Sequence, residues 1–221
     1  KVVQADVVGP SLGEQSIQDG LMSFGIAFAL IIAYIVFYYG GAGVYAVIAM
    51  VINLFYIFGI MDSGDFTLTL PGIAGIVLSM AMAVDTNVII YERTKEELFA
   101  GKNIKEAYKD GFKHALSAII DGHATTLLTA FVLYFFGTGP IKGFAVTLII
   151  GILMTFFTSV MLSRVMIFSR LEKGKGLSVW TAPTKNMFRN VWIDFIGKRK
   201  YAYIFSLILT IACLFSIFTN G

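Results

Sequence analysis

Residues 80–93 read MAMAVDTNVIIYER, and Asp85 stands inside an otherwise apolar run. The surrounding segment, Leu70–Tyr91, has the length and composition of a membrane-spanning helix, which needs roughly 20 mostly apolar residues. A carboxylate at the centre of such a helix costs about 2.5–3.5 kcal/mol on insertion scales, so its presence asks for a reason. The same reading outward from this stretch gives five further candidate spans: Leu21–Tyr39, Val44–Ile60, Ala115–Phe136, Ile141–Leu162 and Tyr201–Phe218. Hydrophobic residues are 57% of the chain and charged residues 14%, a balance that excludes an ordinary soluble domain. The predicted class is all-α, a polytopic helical membrane protein with six spans.

Charge sets the expected orientation. Of the 17 Lys and Arg residues, all but Lys1 and Lys142 fall between Arg93 and Lys113 or between Arg164 and Lys200. Both stretches lie on one side of a six-span chain, and the excess of basic residues marks that side as cytoplasmic. The N-terminus and Gly221 are then outside. Residues 1–20 hold neither a signal peptide nor a span, so the chain is expected to be part of a longer protein, with at least one span before it and something after it. Cys213 is the single cysteine and cannot form an internal disulfide.

Ser11 and Glu14 form an S-x-x-E pattern expected to cap a lead-in helix, with Gly9 and Pro10 as the turn before it. Residues 92–114 read as a charged cytoplasmic helical hairpin broken near Gly101 and Gly111. Residues 171–200 are basic, contain Gly174, Gly176, Pro183, Trp180 and Trp192, and read as a linker followed by an interfacial helix with its tryptophans at headgroup level. The expected units are a lead-in (1–20), a five-span domain (21–170), the linker (171–200) and a last span (201–221). Gly75, Ser79 and Ala83 repeat small residues every fourth position, a pattern for close helix packing.

Asp85 and Asp121 are the acidic residues inside the expected spans. Each lies six residues from the basic end of its helix, roughly 9 Å in at 1.5 Å per residue. No Lys or Arg lies inside a span to offset them. Desolvation and a neighbouring carboxylate both favour the protonated form, and a carboxyl that binds and releases a proton is what a membrane proton relay needs. Thr86 and Asn87 adjoin Asp85; His123, Thr125 and Thr126 follow Asp121, and these polar groups are expected to bond a carboxyl, a water or each other. The alternative is a pair of satisfied packing groups. The serines, Cys213 and the histidines show no nucleophile arrangement or metal-ligand spacing, and no phosphate loop or nucleic-acid platform is present. Anionic lipid headgroups are the expected neighbours of the basic loops.

The stretches GPSLG (9–13), MAVDTNVIIYERTKEEL (82–98), DGHATTL (121–127) and FGTGPIKGFAVTLIIGI (136–152) resemble the membrane domain of SecD, a bacterial protein-export component of the RND superfamily. NVWIDFIGKRKYAYIFSLIL (190–209) resembles the beginning of SecF. The resemblance implies an RND-type bundle from a fused SecD–SecF protein in the bacterial inner membrane, holding five spans of the SecD half and the first of the SecF half. It implies no enzymatic activity and no cofactor other than protons. Its implied partners are the SecYEG translocon, SecA, YajC, the translocating polypeptide and the rest of the SecF half. Asp85 matches the family's M-A-V-D-x-N aspartate, and Asp121 matches the acidic residue of its D-A-N-x-T-T motif. Gly122 and His123 replace Ala and Asn there. Two other readings stay open: an RND exporter of lipids or small hydrophobic molecules, which is expected to carry V-D-D where this chain has Val84-Asp85-Thr86, and an intramembrane aspartyl protease, which is expected to show G-x-G-D before its second aspartate.

Overall fold

The structure is a computed structural model that describes residues 10–66, 68–185, 187 and 196–220, with the backbone alone for 10–16 and 217–220. It is helical: α1 (Pro10–Tyr39), α2 (Gly41–Ser63), α3 (Leu70–Phe99), α4 (Ile104–Phe136), α5 (Pro140–Thr155), a π-helical turn (Phe156–Leu162), α6 (Ser163–Glu172) and α7 (Arg199–Asn220). Six helical stretches are long and apolar enough to cross a membrane, with α5, the π turn and α6 forming one of them. All six expected spans are therefore helices, and the fold is the all-α membrane bundle that the hydropathy predicted. The chain divides into two compact units, Lys1–Thr184 and Lys185–Gly221. The second contains α7; the first is the bundle described next.

The helix ends follow local chemistry. The backbone is helical from Pro10, which places Ser11 inside α1 instead of at its cap; proline suits a first helical turn because its missing N–H has no partner to lose there. Gly40 alone separates α1 from α2. Its φ is 57°, and a Cβ on it would approach the Trp180 carbonyl to 3.0 Å, so both torsion and space require glycine. Thr69 caps α3 by accepting from the N–H of Gly72 at 3.1 Å, and Asn103 caps α4 by accepting from the N–H of Glu106 at 3.0 Å.

The small-residue stripe of α3 decides the packing. Gly75 meets Thr147, and Ser79 meets Gly151, so closely that a Cβ on either glycine would overlap its neighbour. Further along, Thr155 Oγ1 donates to the Ser79 carbonyl at 3.2 Å, Ser159 Oγ to the Ala83 carbonyl at 3.3 Å, and Ser163 Oγ to Asn87 Oδ1 at 3.2 Å. Each of these three pairs is separated by 76 residues, so α3 and α5–α6 run parallel and in constant register. A stripe at every fourth residue drifts about 40° per turn on an ideal α-helix. The wider π turn opposes that drift and keeps Ser159 and Ser163 facing α3. Asn53 of α2 joins the seam, donating to Thr155 Oγ1 at 3.0 Å.

Two expectations at the basic end need correction. Gly111 does not break the hairpin. It lies within α4, where the absence of a side chain lets Thr94 of α3 approach its Cα. The break is confined to residues 100–103, and Lys102 closes it with ion pairs of 2.6 Å to both Glu97 and Asp110. Those two bonds, that to Asp110 the stronger, hold the Lys102 ammonium well above the usual lysine range. Second, residues 177–184 do not form a free linker. Leu177 and Val179 are buried, the N–H of Ala42 donates to the Ser178 carbonyl at 2.9 Å, and the Thr181 and Thr184 hydroxyls donate to the Phe37 and Tyr38 carbonyls at 2.9 and 2.8 Å. This strap satisfies carbonyls at the C-terminal end of α1. Trp180 lies flat on Phe99, with ring centroids 5.5 Å apart and an interplanar angle of 9°. The expected interfacial helix around Trp192 lies outside the described residues.

Candidate functional site: an acidic membrane face

Asp85 sits midway along α3 and Asp121 midway along α4, and both side chains are exposed on the outside of this bundle. Neither makes a hydrogen bond or ion pair among the described residues. Of the expected bonds among the neighbouring polar groups, the described residues show one between two of those groups, Thr86 and His123. Residues 85, 86 and 87 point about 100° apart on an α-helix. Asp85 faces out, while Thr86 and Asn87 are buried at 1% exposure each.

Asn87 turns to the α3–α6 seam. Its amide donates to the Ala83 carbonyl at 2.9 Å and its oxygen accepts from Ser163, so it does not bond Asp85. Thr125 and Thr126 both donate to the Gly122 carbonyl, at 3.0 and 2.9 Å, and their protons are spent on the helix backbone instead of on Asp121. Thr86 reaches across to α4: its hydroxyl oxygen lies 3.4 Å from His123 Nε2. His123 Nδ1 lies 2.9 Å from the Ile119 carbonyl, and Asp85 is within electrostatic range of the ring.

Proton counting gives this contact a meaning. A carbonyl only accepts, so Nδ1 carries the hydrogen that reaches Ile119. Thr86 has one hydroxyl hydrogen, and the Met82 carbonyl lies 2.8 Å from it. With that hydrogen on Met82, Thr86 Oγ1 can only accept from Nε2, which a ring already carrying its hydrogen on Nδ1 can supply only as an imidazolium. A neutral ring with its hydrogen on Nδ1 can only accept at Nε2, so a bond there would take the Thr86 hydroxyl hydrogen from Met82. The direction of a Thr86–His123 hydrogen bond thus depends on whether the ring carries one hydrogen or two. Thr125, Thr126 and Thr129 line a groove of about 280 Å³ further along α4.

A charged group at membrane depth faces a protein interior or a water-filled cavity. Among the described residues the two aspartates face neither. No group of three or more His, Cys, Asp or Glu residues is placed to hold a metal among the described residues. The α3–α5 seam, with Thr147, Thr155, Ser159 and Ser163, was not singled out from sequence. Its signal was the fourfold spacing of small and hydroxyl residues from Thr147 to Ser163, which only gains meaning beside the matching stripe on α3.

The family model described as "Protein export membrane protein SecD/SecF, C-terminal" matches residues 1–173. Protein translocase subunit SecD of Koribacter versatilis is 45% identical over 182 residues, which are 81% of this chain and 34% of that protein. The SecD of Rhodothermus marinus is 47% identical over 178 residues, 80% of this chain and 28% of that one. The crystal structure of SecDF, a translocon-associated membrane protein from Thermus thermophilus, superposes with a TM-score of 0.86 at 35% identity, covering 96% of this chain and 29% of that one. A second structure, SecDF in a super-membrane-facing form, gives a TM-score of 0.81. The chain thus spans about a third of the length of the first of these relatives.

Proposed function

We propose a role in proton-driven polypeptide export from one premise: the chain belongs to the SecD/SecF family of protein export membrane proteins, of which it carries C-terminal membrane region. On this reading the whole protein is an auxiliary subunit of the Sec translocon in the bacterial cytoplasmic membrane. It works beside SecYEG and SecA, with YajC as a further partner, and promotes movement of the translocating polypeptide.

The observation that supports proton coupling is the pair of exposed aspartates on the α3–α4 face, neither of which has a hydrogen bond or ion pair among the described residues. Asp85 takes up a proton from the outer side and releases it toward the basic end; Asp121 holds the second carboxyl site on α4. The rest of the SecF half covers this face and excludes lipid from it. His123 and Thr86 couple the proton count to the contact between α3 and α4. One elementary charge crossing 100 mV releases about 2.3 kcal/mol, enough to bias two helix arrangements by roughly fiftyfold. The translocase names of the relatives lend no support to the small-molecule exporter or protease readings.

The test is export by the full-length protein with and without a proton gradient. Asp85→Asn is expected to insert normally and to lose the gradient-dependent part of export, while Asp85→Glu retains a fraction of it. Normal gradient-stimulated export by Asp85→Asn refutes the reading.

A further inference from the structure

The basic end of the bundle carries a second polar site that the acidic face does not use. α6 ends in a left-handed turn at Gly174, whose φ is 70°. The N–H of Gly174 donates to the Leu171 carbonyl at 3.1 Å and that of Lys175 to the Arg170 carbonyl at 3.3 Å, the two bonds of a Schellman cap. The turn brings the chain back over Arg170, whose Nε donates to the Gly176 carbonyl at 3.3 Å. The guanidinium carbon stands 6.0 Å from the ring centre of Tyr45, in the first turns of α2. Between α2 and the end of α6 lies a recess of about 200 Å³ lined by Tyr45, Met166, Ser169, Arg170, Lys173 and Lys175.

Three cations line this recess and no carboxylate does. Among the described residues none of the three is ion-paired with Asp or Glu. Cations at a helix C-terminus complement the helix dipole, but here the Schellman bonds already satisfy the nearest carbonyls, and that effect needs neither a recess nor the Tyr45 and Ser169 hydroxyls. Three like charges beside two hydroxyls form a receptor for an oxyanion. α2, the π turn and α6 also expose Ile48, Met161 and Val165, at 40%, 55% and 65%. A cationic recess at the end of two helical stretches apolar enough to cross a membrane suits a phospholipid, headgroup at the recess and chains along the helices.

We propose that this recess binds the phosphate of an anionic phospholipid from the leaflet at the basic end. Arg170 supplies its terminal guanidinium nitrogens, held by the bond from its Nε; Lys173 and Lys175 supply charge, and Ser169 and Tyr45 supply hydroxyl donors. Juxtamembrane cations contribute about 1 kcal/mol each toward anionic lipid, which is about fivefold in affinity.

The experiment uses the full-length protein in detergent, with bound lipid read by native mass spectrometry during titration with dioleoylphosphatidylglycerol, dioleoylphosphatidylcholine or inorganic phosphate. The expected result is a preference for phosphatidylglycerol over phosphatidylcholine. That preference falls about fivefold for each cation removed in Lys173→Gln and Lys173→Gln/Lys175→Gln. Both lysines are exposed, so the variants keep the fold. The control pair Lys109→Gln/Lys113→Gln, at the same end of the bundle, retains the preference. Equal retention of the two lipids, or an equal loss in the control pair, overturns the proposal. Binding of inorganic phosphate with no preference between the lipids overturns the lipid assignment. Asp85→Asn keeps the lipid preference, so this site and the proton reading fail separately.

Discussion

The hydroxyl of Thr86 and Nε2 of His123 lie 3.4 Å apart, joining α3 to α4 one residue from Asp85 and two from Asp121. Asn at position 123, the residue the resembled motif carries, also presents an amide to Thr86. His123→Asn is expected to preserve gradient-dependent export. His123→Leu leaves Thr86 without that partner and is expected to reduce it by about fivefold, the equivalent of one hydrogen bond near 1 kcal/mol. Export assays on both variants check this, and ¹⁵N chemical shifts of the His123 ring report the change in bond direction.

Gly151 and Ser79 form one of the close crossings of the α3–α5 seam. Gly151→Leu forces the two parallel helices apart and is expected to cost about 1–3 kcal/mol, as overpacked cores do. Thermal unfolding in detergent measures the loss. Ser79→Gly vacates space on the facing helix and is expected to recover part of the stability of Gly151→Ala, a coupling that a double-mutant cycle resolves.

Trp180 and Phe99 tie the strap to the end of α3. Trp180→Ala removes a stacked pair worth about 0.5–1.5 kcal/mol beyond buried area. Hydrogen exchange is expected to rise across residues 177–184 in this variant, while the α3–α5 seam keeps its protection.

The spans were legible because hydropathy acts locally: each carries its own greasy run. Features that depend on distant partners were not. Gly111 read as a breaker because nothing local reveals that Thr94 packs against it. The strap read as a linker because its large apolar residues, Leu177, Val179 and Trp180, are too few to set a period, and the Thr181 and Thr184 hydroxyls bond carbonyls more than 140 residues earlier in the chain. The π turn has no composition of its own; the registration of two helices creates it. Asp85 and Asp121 were legible as unusual, and their depth followed from counting. Their surroundings were not, since the helix turn sends Asn87 away from Asp85 and the backbone takes the hydroxyls of Thr125 and Thr126.

The central claim is that Asp85 changes its proton occupancy while the protein works. Infrared difference spectroscopy of the full-length protein, with Asp85→Asn to assign the band, follows the protonated carboxyl stretch through a pH titration. The account predicts a band that appears and disappears as the buffer is taken from mildly acidic to mildly alkaline, and that is missing from Asp85→Asn. A carboxyl that keeps one ionisation state across that whole range contradicts it.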